Sequence, residues 1–301
     1  MMFLYRAVKV LLFPLIFLIV AWRMYRGKEE REHFHERLGQ TEAKRPTGKL
    51  IWLHGASVGE VVSLLPVITE LRIQRPTLPL LLTTGTTTGR EMLSKFTPTL
   101  PGTGPLFIQY APLDTNSATT AFLKHWQPTL SVFTESEFWP ELLSKAPRPI
   151  LVNGRISNRS WPRYQRYSWF FKPLLKRFEL MLAQSQTDVE RLKALGGKQV
   201  YHGGNLKFDS QPLPADETQL EKFKQAITGR PVLVVASTHP GEEEMAAQIH
   251  MALKPSVPEL LTIVVPRHPH RGTQAANEAM RHTKAVKRRG LGELPALGGN
   301  R

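Results

Sequence analysis

Glu60 stands three residues after Ser57, directly behind the apolar run Leu50–Leu53 and the turn His54-Gly55-Ala56. Strand, tight turn and helix in that order put backbone N–H groups and one chosen side chain at the carboxyl edge of a parallel sheet, where open α/β folds bind ligands. A carboxylate held there is placed to take a proton from a substrate. Ser57-x-x-Glu60 is equally a capping box, in which the glutamate satisfies an orphan amide and does no chemistry. On this segment alone the cap is the better reading. Glu135 and Glu137 follow a second apolar run, Leu130–Thr134, just ahead of Trp139-Pro140. At alternate strand positions both carboxylates share one side if the strand continues, although Glu137 could instead cap the helix that Pro140 starts. Lys207 lies in GNLKFD between Leu206 and Phe208; such an ammonium either snorkels or neutralises an anion. Arg267 and His268 close the apolar run Leu261–Val265, and a guanidinium at a strand end suits phosphate.

Other polar groups have plainer readings. Gly85–Gly89, GTTTG, offers N–H and hydroxyl donors before a helix, but without a Walker lysine or a G-x-G-x-x-G it reads as turn and cap chemistry. His268 and His270 flank Pro269 in basic surroundings, which argues against a metal. Glu242–Glu244 open a helix, where acidic residues suit the macrodipole. With four Asp and no D-x-D, no metal site is expected.

The elements that must hold these groups alternate along the chain. Apolar runs at 50–53, 80–84, 106–110, 130–134, 150–153 and 181–183 each end in small, polar or charged residues. Helical stretches are expected over 58–73, from Arg90, over 118–125, and after QSQT with Thr187 or Asp188 as cap. This spacing indicates βαβ units and a parallel sheet with polar loops gathered on one edge. SQPLPADET reads as a linker, placing a boundary near 208–216. A helix at 219–227, a strand at 232–236, a helix through His250 and a strand at 261–265 follow, and from Gly272 the pattern weakens.

The 301 residues suffice for two domains, and 41% hydrophobic against 22% charged residues describes a chain able to build cores. Cysteine is absent, which excludes disulfides and thiolate metal sites. Forty Lys+Arg against 25 Asp+Glu give a net charge of +15 and imply an anionic partner. No RNP motif, zinc finger or Arg-rich arm points to nucleic acid. Val10–Trp22 carries no polar side chain, Arg6 and Lys9 precede it, and Arg23, Arg26, Lys28 and Arg31 follow. No small-x-small cleavage site follows it, so the segment reads as an uncleaved membrane anchor with the globular part on the cytoplasmic face.

ERLG at Glu36–Gly39, GASVGEV, TTGTTTGR, YAPLD, ESEFWPEL, NGRISNRS, GNLKFD, STHPGEEE and VPRHPHR occur in that order. Taken together they resemble the 3-deoxy-D-manno-octulosonic acid (Kdo) transferases of Gram-negative lipopolysaccharide synthesis, over the chain's first residues to about Arg271. The resemblance implies a GT-B-type α/β fold. The expected layout is an anchor at 1–28, a Rossmann-like acceptor domain at 29–210, and an incomplete C-terminal CMP-binding domain at 211–301, with the two domains facing a cleft. It implies inverting transfer of Kdo from the donor CMP-Kdo to the lipid A precursor lipid IVA, at the cytoplasmic face of the inner membrane and without a cofactor. Glu60 matches the family's catalytic base. Glu135 and Lys207 match groups that stabilise the transition state, with Glu137 the near alternative to Glu135. Arg267 and His268 match a CMP-contacting segment. The family's G-G-S loop and G-G-H-N-P-L-E motif, which hold CMP, do not occur before Arg301. The alternative is therefore an inactive truncated relative that only binds the lipid A precursor at the membrane.

Overall fold

Neighbouring residues along the strands of the first unit are buried on opposite sides of one sheet. Trp52 packs with Leu81, Phe122, Phe133 and Leu151, whereas Leu53 packs with Leu64, Leu80, Leu82 and Val132. Covering both faces demands near-continuous apolar strands, which is what the sequence supplies. The computed structural model describes residues 5, 6, 22, 24, 29–209, 216–288 and 292. It divides into two compact units, Met1–Gln211 and Pro212–Arg301. The anchor expected over 1–28 falls outside the described residues except at Tyr5, Arg6, Trp22 and Met24. Among the described residues no helix is long and apolar enough to cross a membrane.

In the first unit, chain order runs α1 (Phe34–Arg37), β1 (Ile51–Gly55), α2 (Val58–Gln74), β2 (Leu80–Thr84), α3 (Thr87–Phe96), β3 (Leu106–Tyr110), α4 (Asn116–Trp126) and β4 (Leu130–Thr134). It continues through α5 (Pro140–Lys145), β5 (Pro149–Gly154), α6 (Trp161–Arg166), α7 (Ser168–Leu175), β6 (Leu180–Ala183), α8 (Gln186–Ala194), β7 (Val200–His202) and a 3₁₀ turn, Leu206–Asp209. All seven strands are parallel, in the order β3-β2-β1-β4-β5-β6-β7. The chain therefore reverses its direction of winding between β1 and β4, which makes their carboxyl ends the topological switch point.

Four helices of the first unit start on the same device. Ser57, Thr86, Thr115 and Ser185 each accept the N–H three residues on, from Glu60, Gly89, Ala118 and Asp188. Such caps are each worth ~1 kcal/mol. Two expected helix starts are corrected by this pattern. α3 begins at Thr87 rather than Arg90, because Thr86 caps it. α8 is capped by Ser185, with Asp188 closing the box through a 2.6 Å bond from the serine hydroxyl. The helix at Pro140 is not capped by Glu137 either. Asp114 takes the N–H groups of Glu141 and Leu142, at 3.2 and 2.8 Å.

The second unit comprises α9 (Glu217–Ile227), β8 (Val232–Thr238), α10 (Glu242–Leu253), β9 (Leu261–Pro266), a 3₁₀ turn (Pro269–Arg271) and α11 (Gly272–Met280). β8 and β9 pair in parallel, Val232 against Leu261. The buried Glu243 carboxylate takes bonds from Arg271 and from Thr238, both at 2.8 Å for Oε1. α11 occupies the stretch where the sequence pattern fades. It buries Ala275 and Ala276, whose small side chains leave little hydrophobic period to read.

Candidate active site

The switch point is lined by the loops after β1 and β4 and by the first turn of α2. Glu60 is buried there, 9% exposed, at the third position of α2. Its Oε2 accepts from the Ala56 N–H at 2.9 Å and from the Thr134 hydroxyl at 3.1 Å, and its Oε1 from the Ser57 hydroxyl at 3.0 Å. Ser57 Oγ in turn accepts the Glu60 N–H at 3.3 Å. The capping box is thus real, but the carboxylate reaches past the cap residue to Ala56, toward the end of β1. Burial raises the proton affinity of Glu60 above that of an ordinary glutamate, and the Glu137 carboxylate raises it further, against the lowering effect of the Ala56 and Ser57 bonds. A buried carboxyl with raised proton affinity is the form a general base takes.

β4 ends at Thr134, so the alternation that would aim Glu135 and Glu137 alike is lost. Glu135 has φ +48° and its carboxylate meets Lys207 Nζ at 3.2 Å. Glu137 turns the other way. Its Oε2 accepts from the Trp139 indole N–H and lies 3.7 Å from His54 Nε2. His54, 1% exposed at the end of β1, stands with Nδ1 2.9 Å from Thr83 Oγ1. That oxygen also accepts the Trp52 indole N–H at 2.8 Å. Among the described residues, His54 Nε2 has no hydrogen-bond partner.

Lys207 is placed by a residue the sequence reading passed over. Asn153, at φ +54° near the end of β5, accepts the Leu206 N–H at 3.2 Å and so holds the 3₁₀ turn against the sheet edge. A left-handed conformation at a non-glycine residue is uncommon, and asparagine is among the residues that adopt it. Gly59 leaves room beside the ammonium: a Cβ there would stand 4.0 Å from Lys207 Nζ. An ammonium and a helix N-terminus, both positive, share that space, which favours an anion between them.

Glu60, Glu135 and Lys207 therefore surround one switch point, joined by Glu137 and His54. His54 and Asn153 went unassigned because each is polar only at the last residues of an apolar run. That position was the available signal. The Gly85–Gly89 turn is structural: Gly85 N–H bonds Ala56 O at 3.0 Å, and Thr86 caps α3. In the second unit Arg267 and His268 are exposed at the end of β9, with the His268 and His270 rings stacked at 5.5 Å. Among the described residues no cluster of three or more metal-ligating side chains occurs.

A doubly wound parallel sheet with a buried carboxylate at its switch point defines a Rossmann-like α/β protein. The family model for 3-Deoxy-D-manno-octulosonic-acid transferase (kdotransferase) matches residues 32–210. The 3-deoxy-D-manno-octulosonic acid transferase of Rickettsia bellii is 31% identical over 99% of this chain and 71% of its own length. That of Haemophilus influenzae is 31% identical over 97% and 69%. Among solved structures, the UDP-GlcNAc 2-epimerase of Neisseria meningitidis bound to UDP-GlcNAc shares the fold at a TM-score of 0.53 and 14% identity, over 80% of this chain and 70% of that one. The S. aureus MnaA–UDP structure does so at a TM-score of 0.51 and 14% identity, over 80% and 67%. The chain belongs to the 3-deoxy-D-manno-octulosonic acid transferase family, a family of glycosyltransferases.

Proposed function

We propose that this protein transfers Kdo from CMP-Kdo to a hydroxyl of the lipid A precursor lipid IVA, with inversion, at the cytoplasmic face of the inner membrane. The observation that carries the reading is Glu60, a buried carboxylate of raised proton affinity at the switch point of the sheet, within the residues that the family model matches. In the step proposed, the acceptor hydroxyl oxygen forms a bond to the anomeric carbon and its proton passes to Glu60. The bond from that carbon to the phosphate oxygen breaks, and CMP leaves with the electron pair. Lys207 and the N-terminus of α2 offset negative charge on the sugar's carboxylate and the departing phosphate, and Glu135 orients the ammonium that does so. Arg267 and His268 are assigned to the CMP moiety of the donor, in a GT-B arrangement of two Rossmann-like domains. The relatives' name supplies Kdo as the transferred group, and the chain's +15 charge suits a phosphorylated acceptor and an anionic donor.

The test is incubation of the full chain with CMP-Kdo and lipid IVA, read by mass spectrometry for acceptor mass and for released CMP. A Kdo-bearing product with matching CMP is expected. A folded chain that binds lipid IVA but yields neither would make this a binding relative and refute the transfer.

A further inference from the structure

His54, near the end of β1, is buried, and among the described residues its Nε2 has no hydrogen-bond partner. Buried polar atoms left in that state are few in folded proteins, and each asks for a reason. Which ring nitrogen carries the hydrogen follows from the neighbours. The Trp52 indole N–H donates to Thr83 Oγ1 at 2.8 Å, and the same oxygen stands 2.9 Å from His54 Nδ1. Among the described residues these are the two bonds of the Thr83 hydroxyl. An indole only donates, so the threonine hydrogen goes to the imidazole and Nδ1 accepts it. A neutral ring that accepts at Nδ1 carries its own hydrogen on Nε2. Glu137 Oε2 lies 3.7 Å from that nitrogen, ~0.5–1 Å beyond hydrogen-bond length. The opposite tautomer would set a lone pair against a carboxylate and leave the threonine hydrogen without an acceptor. Packing fixes the ring's orientation as well, with Phe133 edge-on at 5.9 Å and Trp52 at 6.3 Å.

We propose that His54 is a positioning residue, whose Nε2–H keeps the Glu137 carboxylate turned toward Glu60. The role rests on Glu60 as the proton acceptor of the proposed transfer. Glu137 also accepts from the Trp139 indole, but Trp139 is half-exposed and only two residues along the same loop. That indole moves with the loop and fixes nothing against the sheet, whereas His54 is part of β1. The consequence falls on Glu60. The Glu137 charge raises the Glu60 proton affinity more than His54 lowers it. A Glu137 free to swing into solvent therefore leaves Glu60 closer to an ordinary glutamate. Other titratable groups at this edge are occupied. Lys207 and Glu135, beside the start of α2, pair with each other at 3.2 Å. Tyr164, on α6 near Glu137, is kept neutral by burial. Thr134, which donates to Glu60 from β4, carries no charge.

The test is nuclear magnetic resonance of the full chain labelled with ¹⁵N-imidazole histidine and ¹³C-carboxyl glutamate. His54 and Glu60 are identified by the signals lost in His54→Gln and Glu60→Gln. His54 Nε2 should carry a hydrogen, and its resonance should shift in Glu137→Gln. Asparagine sets an amide where Nδ1 stood and reaches no further, whereas glutamine sets one at the place of Nε2. Glu60 should therefore titrate at lower pH in His54→Asn than in the wild type, and His54→Gln should restore the wild-type midpoint. In a Glu137→Gln background, His54→Asn should bring no further fall, because the effect runs through Glu137. Should His54→Asn fail to fold, the tautomer and its response to Glu137→Gln still decide. The proposal is overturned if Nε2 bears no hydrogen or ignores Glu137→Gln. It is equally overturned if Glu60 titrates alike in His54→Asn and the wild type, as a packing role alone would have it, or if the fall persists without Glu137. None of these readouts uses turnover. A chain that shows them yet transfers no Kdo would refute the transfer and keep His54 in this role.

Discussion

Glu60→Gln separates the two roles that the Ser57–Glu60 pair allows. The carboxylate accepts three hydrogen bonds, two at Oε2 and one at Oε1. Glutamine can keep its oxygen toward Ala56 and Thr134, but it sets an amide where Oε1 met the Ser57 hydroxyl, losing one bond at about 0.5–1.5 kcal/mol. Removing a buried charge beside Glu137 works in the opposite direction, so the net change in stability should stay within ~1 kcal/mol. Turnover should fall by ~10²–10⁴, the usual worth of a general base, which is about 2.7–5.4 kcal/mol of barrier. Ser57→Ala should do the reverse, losing ~0.5–2 kcal/mol of stability while turnover holds within an order of magnitude. Urea denaturation and mass-spectrometric turnover are the paired assays. In the wild type, kcat/KM should drop as pH falls through a value above the ordinary glutamate range, and Glu60→Gln should lack that limb. The stability sign is opposite. With the folded-state proton affinity raised, the native state binds more protons than the unfolded chain between the ordinary and the raised values, so stability declines as pH rises across that window. Glutamine removes this decline. Wild-type turnover in Glu60→Gln, or a stability loss matching that of Ser57→Ala with turnover intact, would return Glu60 to a cap.

Lys207→Met should cut turnover ~10²–10³-fold by removing a fixed cation. Its effect on stability should be only ~0.2–1 kcal/mol, since Lys207 is exposed and Glu135 only half-buried; equal losses in the two assays would contradict the charge role. Gly85→Ala places a Cβ 2.6 Å from the Ala56 carbonyl oxygen, a backbone atom that cannot give way cheaply, and should cost ~1–3 kcal/mol by urea denaturation. Arg271→Met leaves Glu243 buried and unpaired at ~3–5 kcal/mol, so limited proteolysis should open the second unit while Leu50–Ala183 stays protected. Burial alone would raise the Glu243 proton affinity, but the Arg271 and Thr238 bonds outweigh it and hold it below the usual range. The stabilisation is therefore present above the ordinary glutamate value and lost as pH falls through the depressed one.

The strands were legible because a sheet covered on both faces writes itself as apolar runs, and Leu80–Thr84 and Leu130–Thr134 match the structure to the residue. Helix starts were less legible where several Thr or Ser compete. Nothing local distinguishes Thr86 from its neighbours in GTTTG, and only the backbone geometry selects it as the cap. α6 and α7 were missed because prolines and clustered aromatics blur a helical period, and a few short turns suffice to bury Tyr164 and Leu174. At the site, Glu60 was visible in the first turn after a strand, Glu135 at a strand end, and Lys207 as an ammonium between apolar neighbours in GNLKFD. The meeting of Glu135 with Lys207 was not, because their 3.2 Å contact spans 72 residues and depends on left-handed turns at Glu135 and Asn153. His54 was hidden by its place inside an apolar strand, and its partner Thr83 belongs to the neighbouring one.

The reversal of winding between β1 and β4 has a consequence for biogenesis. The glutamate at the heart of the sheet is synthesised early, but its Thr134 partner arrives only with the fourth strand. The ammonium that completes the ring is held by a bond from Leu206 to Asn153, nearly at the end of the first unit. A chain growing from its amino terminus can pair β1, β2 and β3 while still lacking Lys207. The pairing of Glu135 with Lys207 is thus postponed until the end of the unit is made, and a nascent chain short of Lys207 carries Glu60 and Glu135 without that ammonium.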